Sequence, residues 1–232
     1  MSDRPTVIVT GGSAGIGLAI VERFADLDYR VISLARRRCP VDTVESMLVD
    51  LGSSEAVAAA LDKVRDRLPK RSHVHMIHNA AAMPTDTATD FDSRVFERTF
   101  RLNVTTAAEL NAGLIPHMKP GSSIVFIGST LSEKGVPSRL SYVTSKHAVL
   151  GLMRATVQDL FGTGIHCMMV APGFTDTAML QQGPGLAQAV REMVSFGRLL
   201  EPEEVADIVV FGTRAPALNG AIVHANLGQR ER

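Results

Sequence analysis

Tyr142 and Lys146 stand four residues apart in the stretch SYVTSKHAVL, and Tyr142 is one of only two tyrosines in a chain without tryptophan. On a helix, residues i and i+4 share a face, so this spacing sets a phenol beside an ammonium. A free phenol titrates near 10. To exchange protons near neutrality its pKa must fall by roughly 2–3 units, about 3–4 kcal/mol. An ammonium about 5 Å away, at an effective dielectric of about 20, supplies roughly 3 kcal/mol toward the phenolate. The pair therefore predicts that Tyr142 is a general acid/base held beside an ammonium for proton transfer, rather than surface decoration.

A second group of residues suggests what such a proton donor would work with. The apolar run TVIVT (6–10) leads into TGGSAGIG, residues 10 to 17. Glycines at 11, 15 and 17 permit a tight turn, close approach of backbone to a phosphate, and close helix–strand packing. A helix opening near Gly15 would aim free N–H groups at a pyrophosphate. The spacing is GxxxGxG, which differs from the GxGxxG dinucleotide fingerprint. An NAD site places an acid about 20 residues past the glycines, where it accepts from the ribose 2′-hydroxyl. Here that stretch reads VISLARRR, and Ala35 stands at the expected place. No carboxylate repels a 2′-phosphate there. Arg36, Arg37 and Arg38 follow instead, and a guanidinium fork suits a phosphate dianion. The expectation is NADP(H), with Arg36 as principal ligand and Arg37 and the Ser13 hydroxyl as helpers. The competing reading is a solvated basic turn.

Elements must hold these groups together. Apolar runs at 6–10, 30–35, 46–50, 73–79, 123–129, 165–171 and 221–225 read as strands, most of them near-continuous Val, Ile, Leu and Met. Such runs suit parallel strands covered on both faces. Helical stretches at 15–27, 53–68, 92–118, 142–161 and 202–212 alternate with them. Ser53 and Ser54 before Glu55 form an N-cap region, and Glu201-Pro202-Glu203-Glu204 opens the last helix with Pro and acids in the first turn. The alternation predicts an α/β fold: a single-domain, doubly wound parallel sheet, Rossmann-like, with helices on both faces. No linker or repeat divides residues 1–232. The stretch 174–200, with Gly183-Pro184-Gly185, fits neither period and reads as a flexible substrate lid.

Thr10–Gly17 resembles the TGxxxGIG turn of the short-chain dehydrogenases/reductases, and the resemblance continues along nearly the whole chain. Asn79-Ala80-Ala81 resembles the family's NAG segment, with Ala81 where glycine is usual. Asn103 in RLNV matches its helix asparagine. Ser129 stands thirteen residues before Tyr142, the family's spacing, and YVTSK is its YxxSK. Pro172-Gly173-Phe174-Thr175-Asp176-Thr177 is similar to PGxxxT, and the 197–206 stretch to the family's late helix. This resemblance implies that Lys146 holds the nicotinamide ribose and Ser129 hydrogen-bonds the carbonyl oxygen. It gives Asn103 the role of positioning a water that relays protons through Lys146. It further implies cofactor contacts by Gly11, Ser13, Gly15, Ile16 and Gly17, by the adenine-contacting Asp50 with Leu51, and by Asn79 and Ala80. Tyr142, Lys146, Pro172, Gly173, Thr175 and Thr177 complete that set. The 92–118 and 142–161 helices carry enough apolar residues for two buried faces and pair across a two-fold axis in the family, which implies a homodimer or a homotetramer.

The remaining signals narrow the function. Lys plus Arg and Asp plus Glu both number 24, a balance that gives no support to binding nucleic acid. No apolar run is long enough for a signal peptide or membrane span. Cys39 and Cys167 make no disulfide framework, so the reading is cytoplasmic. His73 and His75 share one strand face while His78 points to the other, without a zinc motif, so no metal is expected. Phe174, Met179, Leu180 and the alanines at 80–82 suggest a mostly apolar pocket for a small carbonyl or alcohol. Two other functions compete. A non-catalytic dinucleotide-binding redox sensor would need the glycine turn but not Asn103, Ser129, Tyr142 and Lys146. An epimerase or dehydratase of the longer branch would need more chain.

Overall fold

In a computed structural model that describes residues 4–68, 72–180 and 185–230, the apolar runs become seven strands. They are β1 Thr6–Thr10, β2 Arg30–Ala35, β3 Glu45–Leu48, β4 Val74–His78, β5 Ser123–Ile127, β6 His166–Pro172 and β7 Ile222–Ala225. They form one sheet in the order β3-β2-β1-β4-β5-β6-β7, and every pairing is parallel. Successive side chains alternate faces. Ile8, Ile124 and Phe126 pack with helices α2 (Ser54–Arg67), α4 (Thr106–Leu114) and α5 (Leu140–Asp159). Val7, Val9, Val125 and Ile127 pack on the other face with α1 (Gly15–Asp26) and α7 (Pro202–Thr213). Every residue of β1, β4, β5 and β6 is buried. Each fully buried Phe, Ile or Leu contributes about 1.5–3 kcal/mol, so this double-sided burial holds the sheet.

The strand order places the site. The chain winds outward from β1 to β3, then returns to pair β4 on the other side of β1. Such a reversal opens a crevice beyond the carboxyl ends of the central strands. The ends of β1, β4, β5 and β6 all reach it, and they carry the glycine turn, Asn79, Ser129 and Pro172.

Two expected features differ. The 92–118 helix is broken into α3 (Ser93–Phe100), a π-turn over Arg101–Thr105, α4, and a short 3-10 turn over Ile115–His117. Within 174–200, the described residues include a helix, α6 (Leu186–Met193), which the sequence periodicity did not reveal. The Gly183-Pro184 part of the expected lid lies outside the described residues. The histidines divide as the two-residue period requires. His75 Nδ1 meets Ser123 Oγ at 2.8 Å and stacks on Phe24, whereas His78 Nε2 meets Asn111 Oδ1 at 2.7 Å and stacks on Phe126.

Candidate active site

The glycine turn is shaped by contacts that exclude side chains. A Cβ at Gly17 would lie 2.2 Å from Gly11 O and 2.4 Å from Asn79 Nδ2, and Gly11 and Gly15 hold φ values of 72° and 55°. Asn79 Nδ2 donates to Thr10 O at 3.0 Å, while Thr10 Oγ1 accepts from the backbone N–H groups of Asn79 and Ala80 at 2.9 and 3.0 Å. Asn79 is thereby engaged in stitching β1 to β4. Ala14, the N-cap of α1, provides no side-chain cap. The first N–H groups of α1, at Gly15, Ile16 and Gly17, therefore face the crevice end without an intrahelical acceptor. Close backbone and open donors at a helix start fit a diphosphate, so these residues suit a dinucleotide.

Tyr142 and Lys146 lie on α5, both buried, with Lys146 Nζ 5.6 Å from the centre of the Tyr142 ring. The Ser129 side chain lies close enough to the Tyr142 hydroxyl to pull the phenol's pKa down. Ser129 comes just after β5 and caps a 3-10 turn, with its Oγ accepting from Leu131 N at 3.1 Å. Lys146 Nζ donates to Ile127 O at 2.8 Å, which ties α5 to the end of β5. Asn103 sits in the π-turn. Its amide donates to Ala82 O at 3.0 Å and to Ser145 Oγ at 2.9 Å, and its Oδ1 accepts from Ala82 N at 2.8 Å. Both donor hydrogens of that amide are engaged, so Asn103 could hold a water only through an oxygen. Thr10, His78, Asn103 and Lys146 help line a cavity of about 10 Å³ beneath the lysine, a volume of about one water.

The electrostatics correct the expectation drawn from spacing. Burial pushes the Tyr142 phenol up to about 12, against the opposing pull of the Ser129 side chain and the Arg139 charge. Burial also pushes Lys146 down to about 8. The protein's own charges therefore do not bring the phenol into the neutral range. Desolvation of both groups outweighs the single-pair attraction that the i, i+4 spacing promises.

The other expected residues are distributed around this centre. Arg36 and Arg37 follow β2 and are exposed, without an ion pair among the described residues. Asp50 Oδ1 accepts from Gly52 N at 2.9 Å, and Leu51 O accepts from Thr106 Oγ1 at 2.6 Å. Pro172 ends β6, and Thr175 Oγ1 donates to Gly173 O at 3.2 Å. A Cβ on Gly15 would meet Thr177 Cγ2 at 3.2 Å, so Thr177 stands against the glycine turn. The 174–200 segment is pinned at its base, where Leu200 N donates to Phe174 O and Asp176 N to Leu200 O, both at 2.8 Å. Sequence reasoning gave no role to Thr10 or Ser145, although both stand inside the motifs it used. Their signal was a hydroxyl within a fixed motif, next to groups that need a partner.

A parallel sheet with a glycine turn at its switch point and a Ser–Tyr–Lys cluster beside it defines the class of dinucleotide-dependent oxidoreductases. The family model for short chain dehydrogenase matches residues 5–184, and the chain belongs to the short-chain dehydrogenase/reductase family. It is 31% identical to the protein FixR of Bradyrhizobium diazoefficiens, over 96% of this chain and 86% of that protein. It is 27% identical to the 3-oxoacyl-[acyl-carrier-protein] reductase MabA of Mycobacterium tuberculosis, over 96% and 92% of the two chains. A short chain dehydrogenase of Burkholderia cenocepacia, solved in complex with NADP, shares the fold with a TM-score of 0.86 at 24% identity, covering 97% of both chains. Among the described residues no helix is long and apolar enough to cross a membrane.

Proposed function

We propose that this protein is an NADP(H)-dependent carbonyl reductase or alcohol dehydrogenase acting on a small substrate, with Tyr142 as the general acid and base. The observation that carries this reading is the meeting of Tyr142, Ser129 and Lys146 beside the glycine turn. The bound dinucleotide supplies the hydride. Ser129 orients the carbonyl oxygen toward the Tyr142 hydroxyl, which delivers the proton as charge develops on that oxygen. Lys146 holds its charge close to the phenol and, with Asn103 across the small cavity, provides a path for the proton that replaces the one given up. Gly11, Ser13, Gly15, Ile16 and Gly17 would hold the diphosphate of the dinucleotide, and Pro172, Gly173, Thr175 and Thr177 would border its nicotinamide end. The 174–200 segment serves as the substrate lid. Cys39 and Cys167, both buried and free, fit a reducing cytoplasm. A redox sensor would have no need of a phenol set beside a serine and a buried lysine at the sheet end, which favours the enzyme.

Cofactor choice rests on Ala35, Arg36 and Arg37. A charge-assisted contact of about 1.5–3 kcal/mol corresponds to roughly tenfold to 150-fold in preference. We expect kcat/KM to favour NADPH over NADH by at least tenfold, and the double variant Ala35→Asp, Arg36→Ala to lose or invert that preference. Equal use of both cofactors by the unmodified protein would show the arginines to be solvated surface.

A further inference from the structure

Three residues before Tyr142, where the chain enters α5, Arg139 is held by one corner of its guanidinium. Its Nη1 donates to Pro84 O at 3.3 Å, to Ser138 O at 3.4 Å, and to Thr85 Oγ1. Its Nε and Nη2 have no hydrogen bond, and Arg139 has no carboxylate partner among the described residues. The carboxylate beside it, Asp86, is engaged elsewhere. Both Asp86 oxygens accept from Ser141 N at 3.1 Å, and Oδ2 also accepts from Ser141 Oγ, so Asp86 caps α5. Ser138 holds φ at 62°, a left-handed conformation that a non-glycine residue keeps only where its surroundings impose it. Asp86 N donates to Ser138 O and Leu140 N to Asp86 O, at 3.4 and 3.3 Å, which imposes it. The loop is thus built to present a half-satisfied guanidinium close to the phenol. Arg139 is the N-cap of α5, outside helical dihedrals, three residues before Tyr142, and its charge is felt at the phenol.

We propose that Arg139, with the Thr85 hydroxyl, recognises an anionic group on the substrate, so that the substrate is a short keto acid or an acid semialdehyde. This rests on the oxidoreductase reading above. The free edge of the guanidinium matches a carboxylate in a planar, two-pronged contact that an ammonium cannot reproduce. Thr85 accepts from Arg139 and keeps its own proton to donate to the same anion. Bound there, the carboxylate leaves the carbonyl oxygen facing Ser129 and Tyr142. A neutral ketone would cover the guanidinium without satisfying it, which costs binding. Arg139 is only partly buried, so salt should weaken the preference.

The test is NADPH-dependent reduction of 4-oxopentanoate and of its methyl ester by wild type, Arg139→Leu and Arg139→Lys. The expected kcat/KM ratio of acid to ester in wild type is roughly tenfold to 150-fold, the scale of one charged hydrogen-bonded contact. It should collapse toward unity in Arg139→Leu, persist in part in Arg139→Lys, and narrow in high salt. If Arg139→Leu does not fold, the drop in the ratio in Arg139→Lys decides. A wild type that reduces the ester as well as the acid, or a ratio unchanged in both variants, overturns the role of Arg139 and leaves the oxidoreductase reading standing. Reduction of neither compound by a wild type that binds NADPH overturns the keto-acid assignment and leaves the oxidoreductase reading standing.

Discussion

Burial makes Tyr142 and Lys146 opposite cases. The phenol is pushed up to about 12 and the ammonium down to about 8, so each is held nearer its neutral form than in water. For Lys146 the folded value lies below the unfolded one. The unfolded chain therefore takes up this proton first as pH falls, and the cost of burying the charge is full below about 8 and vanishes as pH rises toward 10.5. In the proposed mechanism catalysis runs the other way, because carbonyl reduction there uses the charged lysine beside the phenol. We predict that kcat/KM for reduction is level below pH 8 and falls above it, with an inflection near the value of about 8 set by burial. A rate that stays level to pH 10 would show that the Lys146 charge is not used.

Among the elements, strands were the most legible, since β-branched runs covered on both faces leave few alternatives; β1 and β2 occupy 6–10 and 30–35 as expected. The 92–118 segment was not legible as two helices. Its apolar period continues through the break, and the cause of the π-turn lies outside it, in the Ala82 backbone that holds Asn103 by two hydrogen bonds. A contact across 21 residues leaves no trace in local periodicity. Helix α6 has eight residues behind a left-handed Gly185 at φ 80°, barely two turns, too few for the period to stand out from its flanks. The site was legible in its order and spacing, from the glycine turn to Ser129, Tyr142 and Lys146. Its electrostatics were not, because spacing reports which groups meet but not how deeply they are buried. The place of Arg139 was likewise hidden, since it depends on the 84–86 loop returning to the start of α5.

At the scale of the whole molecule, assembly and catalysis are the open properties. Large apolar side chains stay exposed in this single chain, with Phe161 at 91% and Phe211 at 66%. Together with the apolar content of α4 and α5, this supports a homodimer or a homotetramer with dihedral symmetry. Light scattering at micromolar concentration should return two or four chain masses, and a mass of 24.9 kDa would contradict it. That the assembled crevice is an enzyme, with its proton supplied by one phenol, is tested most directly by Tyr142→Phe. NADPH binding, followed by fluorescence, should remain nearly intact, because the ring and its packing are kept. Turnover of a carbonyl substrate should fall by about two orders of magnitude or more, the scale of removing a general acid. Turnover in Tyr142→Phe equal to that of the unmodified protein would contradict it.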